Sequence, residues 1–171
     1  MSQKPERIEI RIKYKDVENN FSSTSLEETW LLVNKFFSEF LPSFDVASKL
    51  WLSVDLKKLA HDVQGVIAFS KDGASLLLPK NKLTDNETLI LWLLASYVGN
   101  GLGLLATDSL SKDELQAKLG KTGKITSTRL GELVKNDWVI RTADDKFKIT
   151  TFGVVQVQKE ILPKVKAKTT V

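Results

Sequence analysis

Lys121, Lys124, Arg129 and Lys135 recur along a segment in which Leu130, Leu133 and Val134 stand at i, i+3 and i+4. In a helix those three apolar residues must face a core, with Thr126 and then Thr122 or Gly123 continuing the same face backwards. The opposite face then carries Lys121, Lys124, Ser127 or Thr128, Arg129, Glu132 and Lys135. Such a face can hold a polyanion. Arg129 and Lys124 can reach a phosphate or the O6/N7 edge of guanine, and the hydroxyls of Ser127 and Thr128 can donate to phosphates or base edges. Ile125 falls off the apolar stripe. It could touch a thymine methyl, but the expectation is that it packs as a staple on the preceding turn. The plain alternative for the whole helix is a solvated basic face.

A second group of cations, Arg141, Lys146 and Lys148, surrounds Asp144 and Asp145 in the segment that follows. Trp138-Val139-Ile140-Arg141 and Lys146-Phe147-Lys148-Ile149 read as two short strands joined by Thr142–Asp145. The joining tip is acidic, so the flanking cations are the better candidates for backbone contact.

No constellation points to catalysis. His61 is the only histidine, and Asp62 beside it points about 100° away on a helix, so the two form no dyad. With no cysteine and one histidine, a catalytic zinc would need carboxylates almost alone. There is no serine elbow and no His-Glu-x-x-His. Gly99-Asn100-Gly101-Leu102-Gly103 follows a helical pattern rather than a strand, and no Gly-Lys-Ser/Thr follows it, so it reads as a helix end and not a phosphate loop. The expectation is a non-enzymatic protein with no cofactor and no metal.

The elements that position these residues are written locally. Ser111 with Glu114 three residues on is a capping box that opens a short helix through Leu115 and Leu119, and Gly120–Gly123 then turns the chain. Thr84 with Glu87 is a second capping box, opening a helix through Leu89, Leu91, Trp92, Leu94, Ala95 and Val98 that is apolar nearly all round. Such a helix is buried on more than one side, so it either bridges the two domains or lies in a dimer interface. Phe152–Leu162 predicts a final helix stopped by Pro163, with a basic disordered tail over 164–171.

Upstream, Arg7–Lys15 alternates strictly between Ile or Tyr and charge, a half-buried strand. Residues 16–21 turn the chain, and a short second strand is one reading of them. Ser25 caps a helix ended by Pro42, and Ser53 or Asp55 opens another that closes at Gly65. Residues 66–69 and 74–78 flank an Asp72-Gly73 hairpin turn. Trp30, Phe36, Phe37, Phe40, Trp51 and Trp92 read as core, although Trp51 sits outside a clear periodic helix and a surface aromatic at a partner site is its alternative. Pro79–Lys82 is the candidate linker.

The stretch Ser111–Gly153 resembles winged helix-turn-helix DNA-binding domains of archaeal and bacterial transcription regulators. The resemblance rests on Leu115, Leu119, Thr126, Arg129-Leu130, Leu133-Val134, Trp138-Val139-Ile140, Phe147-Lys148-Ile149-Thr150 and Gly153. The chain departs from the usual pattern at Gly131, a weak helix former, and at Asp137, where Gly is usual. The resemblance covers under half the chain and implies a winged-helix domain, residues 80–163; the upstream strand and helix patterns give a small N-terminal α+β domain, residues 1–79, packed on it, an α+β fold overall. The resemblance implies double-stranded DNA as partner, with the helix around 122–135 in the major groove and the wing in support.

Charge agrees in its placement. Residues 1–79 hold 10 Lys/Arg against 11 Asp/Glu, and residues 80–171 hold 15 against 10. The basic excess falls in the half with the motif, as polyanion binding requires. The absence of cysteine excludes a disulfide framework, and no apolar run reaches membrane-spanning length. A soluble, cytoplasmic transcriptional regulator or chromatin-associated factor is the expectation. A homodimer through the 85–98 and 152–162 helices and a ligand or protein partner for residues 1–79 complete it. Two alternatives stay open: a protein–protein adaptor in a larger assembly, and an RNA- or ribosome-binding protein.

Overall fold

In a computed structural model of the chain, residues 7–14, 17–40 and 50–168 are described. Helices mix with small antiparallel sheets, giving an α+β composition. The chain forms two compact units, residues 1–51 and 52–171. The boundary expected at 79/80 falls inside the second unit. The reason is a shared core. Leu59, Val63, Val66, Ile67 and Leu78 are buried in one cluster with Leu89, Leu94, Leu130, Ile149 and Val157. Local patterning cannot show that those upstream elements bury their apolar faces against downstream ones.

In the first unit, β1 (Ile8–Tyr14) pairs antiparallel with β2 (Val17–Ser23), with Ile10 opposite Phe21. The expected alternation is present: Ile8, Ile10 and Ile12 are half-buried, while Arg7, Glu9, Arg11 and Lys13 are exposed. Helix α1 (Leu26–Phe40) follows, capped by Ser25, whose Oγ accepts from the Glu28 backbone N–H. Phe36 is buried and meets Phe21 edge-on at 5.9 Å. Two residues expected in a core are on the surface instead: Trp30 is 64% exposed and Trp51 79%. Helical spacing places Trp30 near the apolar stripe, but the face that α1 buries is the one carrying Thr29 and Phe36. The side chain of Phe40, also expected in the core, lies outside the described residues.

The second unit opens with α2 (Leu56–Asp62), capped by Asp55, and a hairpin of β3 (Ile67–Ser70) and β4 (Gly73–Leu76). A 3-10 turn at Lys80–Lys82, the former candidate linker, leads into α3 (Asp85–Gly101). Thr84 and Glu87 form the capping box: Thr84 Oγ1 accepts from the Glu87 N–H and the Glu87 carboxylate accepts from the Thr84 N–H. Leu89, Ile90, Leu91, Leu93, Leu94, Ala95 and Val98 of α3 are all buried, so this is the central helix of the unit. The surplus apolar surface that suggested a dimer interface is used within the chain. Gly99 permits close approach, since a Cβ there would lie 2.7 Å from the Phe69 ring of β3.

After α3 come β5 (Leu110–Ser111), α4 (Lys112–Leu119), α5 (Gly123–Lys135), β6 (Val139–Arg141) and β7 (Lys146–Ile149). The three strands form one sheet in the order β5-β7-β6, with Val139 opposite Ile149 and Arg141 opposite Phe147. Helix α4 carries the expected capping box and ends at Gly120, whose φ of +72° suits a residue without Cβ. Thr150 caps α6 (Thr151–Gln156).

Pro163 does not stop the chain's helical course, and residues 164–168 are ordered rather than a loose tail. A π turn at Val157–Ile161 runs into α7 (Leu162–Ala167), in which Leu162 and Val165 are buried. Proline lacks an N–H and crowds the carbonyl four residues back. The wide turn just before it, where Leu162 N–H donates to Val157 O, shifts that register and lets the helix resume. Lys164 and Lys168 then pair with the buried Glu87 carboxylate, each at 3.0 Å. Lys82 and Lys168 also exchange ammonium-to-carbonyl hydrogen bonds at 2.8 and 3.0 Å. Residues 169–171, the rest of the expected tail, lie outside the described residues. Among the described residues no helix is long and apolar enough to cross a membrane.

Candidate nucleic-acid interface

The helix bearing the candidate residues is set by its own sequence. Thr122 Oγ1 accepts from the Ile125 N–H at the start of α5, and Thr126, Leu130 and Leu133 are buried on one face. Thr126, a buried hydroxyl, donates to Thr122 O at 3.1 Å. The residues opposite this face point outward. Lys121, Lys124, Ser127, Thr128, Gly131 and Lys135 are exposed.

The nine candidate residues separate by what they already hold. Lys121, Lys124 and Lys135 make no ion pair with any described residue; Lys124 and Lys135 lie along one ridge of α5 with Thr128 and Gly131 between them, and Lys121 lies in the turn before the cap. Thr128 Oγ1 donates back to Lys124 O at 3.0 Å. Arg129 is engaged. Its Nη1 reaches both Glu132 carboxylate oxygens, at 2.8 and 3.1 Å, and its Nε lies 3.8 Å from Asp85 at the start of α3. Asn86 Nδ2 donates to the same Glu132 at 2.9 Å. The hydrogen bonds from Asn86 and Arg129 hold the Glu132 carboxyl below its usual range. Arg129 therefore fastens α5 to α3, and to read a base it would first have to leave two carboxylates.

The hairpin cations are likewise each paired. Lys148 meets Asp108 at 3.1 Å, Lys146 meets Asp144 at 3.4 Å, and the Arg141 guanidinium donates to Asp145. The hydrogen bond from Thr142 pulls the Asp144 carboxyl down, and that from Arg141 pulls Asp145 down while raising Arg141. The acidic tip noted in the sequence thus neutralises its own neighbours.

No family model, curated protein or solved structure matches this chain.

Two hollows border α5. One, of about 190 Å³, lies beside Lys124, Ile125, Thr128 and Arg129. Ile125, expected as a staple, is 39% exposed there. It occupies the third helical position after the cap, one short of where a staple packs. The other hollow, of about 410 Å³, separates α5 from the β6–β7 hairpin and includes Ser127, Gly131, Arg141, Asp145 and Phe147. Lys112, at the first position of α4, also lines it. Sequence reasoning passed over Lys112 because only the fold brings α4 beside the hairpin. The acidic partners Asp85 and Asp108 were missed for the same reason.

Proposed function

We propose that residues 84–153 form a winged helix-turn-helix module that binds double-stranded DNA, with α5 entering the major groove and the β6–β7 hairpin as its wing. The observation that carries this reading is the pair Lys124 and Lys135, unpaired among the described residues on the outward face of a helix held firmly by its other face, with Lys121 exposed and unpaired in the turn before it. Lys124 and Lys135 are eleven residues apart, about 16 Å along the helix axis. Major-groove walls are about 12 Å apart, within reach of two flexible lysines at such a spacing. The element order and the three-residue turn Gly120–Thr122 between α4 and α5 support the helix-turn-helix assignment.

The ridge presents ammonium groups rather than forked guanidinium or amide readers. Lysine recognises phosphate as a point charge. The reading is therefore of a protein that grips the DNA backbone and tolerates many sequences. Duplex RNA fits less well, because the major groove of A-form RNA is too narrow and deep for side chains to read. The protein is read as a non-enzymatic chromatin-associated or regulatory factor.

A titration of a labelled 20-base-pair duplex at several salt concentrations tests this. Wild type should bind with log affinity falling linearly with log salt, and Lys124→Ala/Lys135→Ala should lose tenfold or more. Equal binding by the two proteins sinks the reading.

One observation favours a second reading, that of an adaptor. Leu26, Trp30 and Leu31 of α1 are 72%, 64% and 68% exposed, a density of large apolar side chains that marks protein-contact surfaces. This reading assigns residues 1–51 a protein partner. It can hold alongside DNA binding by the second unit.

A further inference from the structure

We propose that the groove between α5 and the β6–β7 hairpin is a seat for one backbone phosphate of the bound duplex, and that the Asp145 carboxylate occupies that seat in the free protein. The inference rests on the duplex-binding reading of α5 and adds a specific site to it.

Three features converge on the groove. The first is its donor set. Arg141 and Lys112 bring two cations to it, and Ser127 brings an exposed hydroxyl from the α5 wall. A phosphate diester is the anion that a guanidinium, an ammonium and a hydroxyl together suit.

The second is Gly131. It sits in the middle of an exposed helical face, where glycine weakens the helix. Packing does not demand it, since a Cβ there would meet nothing within 4 Å. The missing side chain leaves the helix backbone open toward the groove, as a closely approaching ligand backbone requires.

The third is Asp145. The tip closes with Asp145 N–H donating to Thr142 O and Thr142 N–H donating to Lys146 O, a turn followed by one left-handed residue. That residue is Asp145, at φ +62°, where glycine is the comfortable choice. An aspartate held there puts its carboxylate on Arg141. Both side chains are about two-thirds exposed, so the pair is of the weak surface kind that a better anion displaces.

The test uses the full chain and a fluorescein-labelled 20-base-pair duplex, titrated at several salt concentrations. Asp145→Gly keeps the left-handed turn and removes the internal anion. It should bind about fivefold or more tighter than wild type, with a salt slope steeper by about one phosphate's worth of counterions. Asp145→Gly/Arg141→Ala should lose that gain. Asp144→Gly is the charge control: it removes the same charge from the same tip, but from a residue that holds Thr142 and Lys146, and it should gain far less. If Asp145→Gly binds as wild type does, or Asp144→Gly gains equally, the phosphate seat is wrong while duplex binding by the lysine ridge stands. If neither wild type nor Asp145→Gly binds duplex even at low salt, both readings fall.

Discussion

Thr150 Oγ1 accepts a hydrogen bond from the Gly153 N–H at 2.8 Å and donates to Asp137 O at 2.7 Å, tying the start of α6 to the end of α5. Gly153 is small for a reason visible at the same place: a Cβ on it would lie 2.2 Å from Trp138 O. That contact is with backbone, which cannot swing away. Gly153→Ala should therefore cost on the order of 3 kcal/mol through overpacking, and Thr150→Val about 1 kcal/mol through the lost cap. Urea denaturation of the three proteins measures both, and a Gly153→Ala midpoint equal to wild type would refute the packing account.

Arg129 and the ridge lysines should respond oppositely to substitution. Arg129→Ala should lower stability by about 0.5–1 kcal/mol, as expected of a partly exposed ion pair, and weaken duplex binding less than Lys124→Ala does. Lys124→Ala/Lys135→Ala should leave the unfolding midpoint near wild type and reduce the salt slope by about two. Unrelated duplex sequences should lose affinity alike. A strong sequence preference that vanishes with Arg129 would reverse these roles.

Glu87 sets an acid limit. Burial pushes its carboxyl up, but the Thr84 backbone N–H and the Lys164 and Lys168 ammonium groups outweigh this and hold it down to about 2. A group whose folded pKa is depressed contributes stability that is present above its unfolded value and lost as pH falls through the folded one. The loss should thus begin near pH 4.5 and run toward pH 2. Glu87→Gln keeps a cap acceptor but not the charge. It should be less stable than wild type at neutral pH, with the difference shrinking in that acid window. Thermal unfolding from pH 2 to 7 follows both curves, and a difference independent of pH would show that the charge is not what stabilises.

Asp137 holds φ at +60°, a conformation that strains any residue with a Cβ. Asp137→Gly should raise stability by about 1 kcal/mol, read as a higher urea midpoint with unchanged slope.

Much of the second unit was legible because its signals are local. The two capping boxes, the Asp72-Gly73 turn and the i, i+3, i+4 set of α5 each act within a few residues, and each lies where the spacing put it. Asp137, by contrast, sits at positive φ with no local signal in its residue type that demands it. What was not legible depends on distant residues. Arg129 meets Asp85 and Lys148 meets Asp108, pairs separated by some forty residues, so the charge count could not show which cations remain free. The unit boundary at 51/52 and the exposure of Trp30 depend on which apolar faces find partners. The run past Pro163 depends on a wide turn that no propensity rule anticipates.

Lys168 and Glu87 are 81 residues apart in the chain, yet they close on one another. A ribosome adding 5–20 residues per second would add Glu87 about 4–16 s before its second lysine is made. During that interval the central helix has its cap but not its clasp. The clasp on Glu87 is therefore the last part of the unit to be synthesised, and a nascent chain paused before residue 164 would lack both of the lysines that pair with that carboxylate.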